Sequence, residues 1–267
     1  MLSVFDLWGS VVVGLAVAVC FAAEHRRPLR ARVRPLGERL SANIPLVAIA
    51  ALILRLAMVP AALAVATAAQ RGGVGLLRWV PLPAAAAGVA GFLLLDWSIY
   101  VWHRLNHRVS WLWRFHLVHH TDLDLDVSTA FRFHAGELLL SVGWRTLAVL
   151  AVGAPPSLLV VYEIVTQSAT AFHHSNWRLP DRIERGLSLV LMTPAQHGIH
   201  HSMVERETNS NWSVVFSWWD RLHGSWRRDP PNEALTIGLP AWRDPQALGL
   251  ARLLALPFTR QPPAWPS

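Results

Sequence analysis

The chain has 267 residues, 53% of them hydrophobic and only 15% charged. Soluble domains carry about 25% charged residues, so this composition excludes an ordinary soluble protein and points to a membrane protein. The net charge is +7 and every basic residue is arginine, but the arginines flank apolar runs instead of forming the basic stripe of a nucleic-acid-binding fold, so no nucleic-acid partner is expected.

Residues 4–23 form an apolar run long enough to span a bilayer. Its start lacks positive charge and contains Asp6, and Val19 rather than a small residue precedes Cys20. A retained transmembrane helix is therefore expected, not a cleaved signal or a lipoprotein site. Cys20 is the lone cysteine, so disulfides and Cys-x-x-Cys sites are excluded within the chain. Any metal must be held by histidine, with carboxylates as the other option.

A basic loop follows, from His25 to Arg39. The positive-inside rule assigns it to the cytosol, with His25 a solvated loop residue. Residues 44–69 make a second span. Arg55 lies near its middle, where a charge facing lipid costs about 2.5–3.5 kcal/mol on insertion scales. Either Arg55 faces protein or water, or the span bends, and Pro45 and Pro60 favour a bend. After a linker with Gly72, Gly73 and Gly75, a third span over 80–100 returns the chain to the cytosol just before His103. Asp96, near the end of that span, is either a surface charge or a group that orients a metal-bound imidazole.

Residues 103–137 are polar and aromatic, with Trp111, Trp113 and Phe115 marking a membrane interface. Residues 138–172 are apolar again, broken by Gly153-Ala154-Pro155-Pro156, and read as a hairpin that returns the chain to the cytosolic side. Residues 178–267 contain no span. The reading is thus an all-α integral membrane bundle of about three full spans (within 1–102) plus a shallow apolar hairpin. A cytosolic helical cap over 173–260 and a loosely ordered Pro-rich tail over 261–267 complete it.

Three histidine groups stand out. His103 and His107 are spaced i,i+4; His116, His119 and His120 are spaced i,i+3,i+4; and His197, His200 and His201 repeat the second pattern. On a helix each group aims its imidazoles to one side. No packing rule requires two copies of His-x-x-His-His, whereas neutral imidazole is the commonest metal ligand and suits Fe, Zn, Cu and Ni. Eight such residues are enough for two metal ions. Imidazoles add no negative charge, which leaves an electrophilic centre suited to O2 activation. The residues alone leave three readings open: a lipid C–H oxygenase, a zinc-dependent membrane hydrolase, and a metal transporter or sensor. Against the hydrolase, no His-Glu-x-x-His is present. Against the transporter, the histidines flank the spans instead of lining them.

Several ordered motifs carry a resemblance. They are Asp96-x-x-x-Tyr100-x-x-His103-Arg-x-x-His107, Trp113-Arg-Phe-His116-x-x-His119-His120, and Asp124 to His134. Further on come His174-Ser-Asn176, Thr193-Pro-x-x-His197-x-x-His200-His201-Ser, and Asn211-Trp to Trp219-Asp220-Arg221-Leu222. Over roughly residues 90–240 the chain resembles the fatty acid hydroxylase/sterol desaturase superfamily of integral-membrane di-iron oxygenases.

The resemblance implies a cytosolic cap over transmembrane helices, two Fe ions between them (zinc can replace iron in preparations), and O2 as co-substrate. It implies hydroxylation or desaturation of an alkyl C–H of a lipid, in a bacterial inner membrane with the histidines facing the cytosol. Electrons would come from a separate donor of cytochrome b5, ferredoxin or reductase type. The implied ligands are His103, His107, His116, His119, His120, His174, His197, His200 and His201, with His134 and His173 as further candidates. The groups implied to orient them are Asp96, Asp124, Glu137, Asn176, Glu205 and Asp220. The chain departs from the family pattern at Ala135, where Pro is usual before Glu137, and at Trp212, where Tyr is usual. Thr170 and Arg178 occupy the positions at which another ligand is common.

Overall fold

The computed structural model describes residues 2–265, with side chains from Trp8 onward. Asp6 lies outside the described side chains. Among the described residues the chain is helical, and strand-like pairing is limited to isolated bridges such as Pro28 with Trp177. Four stretches are long and apolar enough to cross a membrane: Trp8–Arg26, Leu36–Trp79, Ala84–Arg108 and Ala135–Val152. Many of their large side chains point outward. Val11, Val12 and Leu15, Leu52 and Leu56, and Leu139 and Leu147 are all exposed, the pattern of helices solvated by lipid and not by water.

The first helix, α1 (Leu2–Arg26), lies along a later one and not along its neighbour in sequence. The next element is long. Helix α2 (Leu36–Ile53) runs through a π-helical turn, Leu54–Met58, into α3 (Val59–Gly72). Pro60 has no N–H to give and its ring crowds the preceding turn. The helix accommodates this by widening, and the Val59 N–H reaches back to the carbonyl of Leu54. Arg55 sits in this widened turn on the exposed side. After the short α4 (Leu76–Trp79), α5 (Ala84–Arg108) extends beyond the membrane-length segment expected from the sequence and carries His103 and His107 on its last turns.

Helix α6 (Ser110–His120) follows after a single extended residue, Val109. The expected hairpin is α7 (Ala135–Val152) and α8 (Pro156–His174). Gly153 closes α7 in the left-handed conformation (φ 71°) and Pro156 opens α8, a stop and a start that glycine and proline favour. Gly153 meets Gly75 (φ 106°) across the bundle so closely that a Cβ on Gly75 would lie 2.4 Å from the Gly153 Cα. Small residues also line α3, where Ala62, Ala66 and Ala69 are buried. Ala62 and Ala66, with Leu95, Ile99, Val149, Leu159 and Tyr162, form the core joining α3, α5, α7 and α8.

The remaining helices are short: α9 (Asp181–Leu187), α10 (Pro194–His200), α11 (Glu205–Thr208), α12 (Trp218–Leu222) and α13 (Leu250–Ala255). A second core, including Leu46, Leu117, Val118, Leu239, Trp242 and Leu253, fastens this cap to α2 and α6. The tail is not loose over residues 261–265. The Gln261 amide donates to the Leu256 carbonyl at 3.0 Å, Trp265 donates to the Met203 carbonyl at 3.0 Å, and its ring stacks on Trp113 at 5.6 Å. An indole with apolar surface to bury and one N–H to satisfy overrides the proline content. Residues 266–267 lie outside the described part.

Candidate metal centre

Nine histidines converge in two groups. His103, His107, His116, His120 and His200 form one; His119, His174, His197 and His201 form the other. Within each group one nitrogen per ring lies within 4.8 Å of all the others. The helical period sorts them. On α6, His116 and His120 share a face and join the first group, while His119 turns to the second. The stretch from α10 works in the opposite sense. His197 and His201 serve the second group and His200 the first. The pairs His119-His120 and His200-His201 are thus each divided between the two groups.

Local sequence explains why α10 presents these rings. Thr193 accepts from the Gln196 N–H at 3.3 Å, Gln196 accepts from the Thr193 N–H at 3.2 Å, and Pro194 follows the cap. This capping box fixes the start of a helix only seven residues long.

The rings are oriented through Nδ1. His103 donates to the Trp212 carbonyl, His200 to the Ser210 carbonyl, His174 to the Thr170 carbonyl and His116 to the Glu137 carboxylate, each at 2.8 Å. In each case Nε2 is left with its lone pair. The Nε2 atoms of His103, His116, His120, His200 and His201 are buried without a hydrogen-bond partner, as are Nδ1 of His119 and His197 and both nitrogens of His107. The Nε2 of His174 lies 3.0 Å from those of His119 and His197. Buried polar atoms are rarely left unpaired, and lone pairs aimed at one another attract a cation. Burial also holds His119, His120, His197, His200 and His201 well below the usual imidazole range, with neighbouring rings adding to the effect. These rings are neutral at pH 7, the form that binds metal. The donor set fits two divalent transition-metal ions.

The two further candidates, His134 and His173, stay outside both groups. His134 caps α7. Its Nδ1 accepts from the Gly136 N–H at 2.9 Å and its Nε2 sits 3.1 Å from the Leu254 carbonyl, so both nitrogens are engaged. The His173 ring packs at a tilt against His197, with centroids 4.2 Å apart, but its Nδ1 is 3.0 Å from the Val214 carbonyl.

Of the acidic and amide candidates, only Glu137 hydrogen-bonds an imidazole. Asp96 accepts from the Val215 and Phe216 amides and from the Trp219 indole. Asp220 accepts from the Trp212 and Ser213 amides and from Ser225. The two carboxylates thereby hold the loop whose carbonyls receive His103 and His173. Asp124 binds the Val33 and Arg34 amides, and Asn176 pairs with the Arg30 backbone. Glu205 is exposed at the start of α11.

An ionic cluster was not apparent from the sequence. Arg39, expected in the basic loop, lies on the first turn of α2 and is buried against Asp122, Asp126 and Thr129, and Arg132 joins it at Asp122. Burial pushes the Asp122 carboxyl up, but the two guanidinia outweigh it and hold the group below the usual carboxylate range. The cluster braces the turn Val127–Phe131, from which Phe133 stacks on His119 at 4.5 Å. The Asp-x-Asp-x-Asp run was visible, but not its partner eighty residues earlier.

A cavity of about 580 Å³ leads from the centre into the bundle, walled by α1, α2, α3, α5, α7 and α8 and reaching His103, His116 and His119. A model of the family described as Fatty acid hydroxylase matches residues 88–225, a stretch holding all nine converging histidines. The chain belongs to the fatty acid hydroxylase family. Its relatives include an ornithine lipid hydroxylase of Rhizobium tropici, 31% identical over 179 residues, 67% of this chain and 52% of that protein. An alkylglycerol monooxygenase of Homo sapiens is 30% identical over 152 residues, 56% of this chain and 32% of the relative. A cholesterol 25-hydroxylase of Rattus norvegicus is 30% identical over 148 residues, 55% and 48%. The chain therefore matches about half or less of the length of these family members. No solved structure matches it significantly.

Proposed function

We propose that this fatty acid hydroxylase family member is an O2-dependent di-iron membrane oxygenase that hydroxylates an alkyl C–H of a lipid. The observation that carries the reading is the junction of the two histidine groups with an apolar cavity between membrane helices. The names of the relatives, hydroxylases and monooxygenases of lipids, favour hydroxylation over desaturation.

Iron held by the nine histidines would supply the redox activation of O2. The protein's own part is to hold and shield it. His103, His107, His116, His120 and His200 would bind one ion; His119, His174, His197 and His201 the other. Glu137 fixes the ring of His116 and favours its lone pair at Nε2. The mostly apolar walls would exclude water and hold a carbon chain against the histidine groups. In this reading electrons come from a separate cytochrome b5-, ferredoxin- or reductase-type donor. The histidines face the cytosol of a bacterial inner membrane, and the chain after residue 173 caps them.

The test is Mössbauer spectroscopy and metal analysis on protein grown with iron-57, beside a His119→Ala/His200→Ala variant, followed by lipid profiling of cells with and without the gene. Coupled iron lost in the variant, and a hydroxylated lipid that depends on the gene, are expected. One tightly held zinc ion, indifferent to reductant and O2, would sink the oxygenase and favour a hydrolase.

A further inference from the structure

The cavity wall is mostly apolar, and away from the histidines it carries one arginine–carboxylate pair. Arg145 on α7 and Glu163 on α8 both line it and form an ion pair at 2.6 Å. The pair is incomplete. The Arg145 Nε and the Glu163 Oε2 are buried and have no hydrogen-bond partner. Ser141 and Gln167 line the cavity beside them.

Holding α7 against α8 does not require such a pair. Apolar residues of similar volume join helices as well, because desolvating two charges offsets their attraction. Leaving a donor and an acceptor unpaired in an apolar space adds a further cost. A ligand that supplies one acceptor and one donor would remove it. We propose that Arg145 and Glu163 form a recognition subsite for an uncharged polar group on the lipid, a hydroxyl or a secondary amide, which accepts from Arg145 Nε and donates to Glu163 Oε2. The pair is net neutral, so it offers nothing to balance a phosphate or a carboxylate at this depth.

The subsite also sets a distance. Eight residues of α7 separate Arg145 from Glu137 beside His116, and eleven of α8 separate Glu163 from His174, or about 12 and 16 Å at 1.5 Å per residue. An extended chain advances about 1.2 Å per bond, taking three bonds per 3.3–3.6 Å. If the centre oxidises lipid as proposed above, the carbon presented lies roughly ten to thirteen bonds from the anchored group.

The experiment compares binding of 1-tetradecanol and n-tetradecane by the metal-loaded, detergent-purified protein, using displacement of a fluorescent fatty probe. Binding is read without turnover, so its outcome is separate from that of the oxygenase reading. At least tenfold tighter binding of the alcohol is expected. That preference should vanish in Arg145→Met/Glu163→Leu while metal content is unchanged. Should the double variant fail to fold, Glu163→Gln, which leaves Arg145 unbalanced, is expected to shift preference to tetradecanoate. Equal binding of alcohol and alkane by the natural protein would overturn the proposal. So would a preference for the alcohol that survives the double variant, or one left unchanged by Glu163→Gln.

Discussion

The Glu137 carboxylate receives the Nδ1–H of His116 at 2.8 Å, from the first turn of α7 to the middle of α6. The contact is buried on both sides. It fixes the ring so that Nε2 faces His103, His107, His120 and His200. Glu137→Gln keeps the shape but not the charge, and outer partners of this kind are worth about 10–100-fold in metal affinity. Titration against a chromophoric chelator should show that loss in the five-histidine group, with the four-histidine group little changed. Equal weakening of both ions would contradict the assignment.

The adjacent residues His119 and His120 belong to different groups. His119→Ala and His120→Ala should therefore release different ions. Mössbauer spectra of the two variants are expected to lose different components of the natural signal. Loss of the same component in both would show that the division is wrong.

Burial keeps His119, His120, His197, His200 and His201 from protonating in the folded chain. In the unfolded chain they take up protons near pH 6.5. Below that pH the unfolded state binds more protons, so stability rises with pH. The contribution is fully present above about 6.5 and is lost as pH falls toward the depressed folded values, by at most about 1.4 kcal/mol per ring per pH unit. Chelator-treated protein should have a lower Tm at about pH 5.5 than at about pH 7.5, and bound metal should be released over the same range. A flat profile would mean that the rings are protonated in the folded state.

Gly75→Ala adds a Cβ 2.4 Å from the Gly153 backbone at a φ of 106°. The clash is with main chain, which cannot swing aside, and a loss of roughly 1–3 kcal/mol is expected. Gly143→Ala, where nothing lies within 4 Å, serves as the control. In an exposed helix it should be neutral or stabilising by about 0.5–1 kcal/mol. Thermal melts in one detergent would compare the two.

The legible and the illegible parts of the centre differ in kind. Histidine spacing is a local, periodic signal, and the nine rings singled out by pattern and resemblance are the nine that meet. Which ring joins which group depends on how α5, α6, α8 and α10 face one another, and no single helix carries that. The partners of His103, His174 and His200 are backbone carbonyls, which every residue possesses and no motif marks. Arg39 illustrates the opposite error. Its place in a basic loop reads as a topological charge, yet it is 1% exposed and committed to Asp122 and Asp126. The apolar runs announced the membrane helices plainly. The proline-rich end hid Trp265, because composition describes a segment and one indole can anchor it.

Trp265 stacks on Trp113, whose ring lies 4.9 Å from His107 and 5.4 Å from His120. A ribosome delivers the nine rings well before it delivers this indole. During synthesis the Trp265–Trp113 contact behind the five-imidazole cluster therefore forms only after every ring of that cluster has been made.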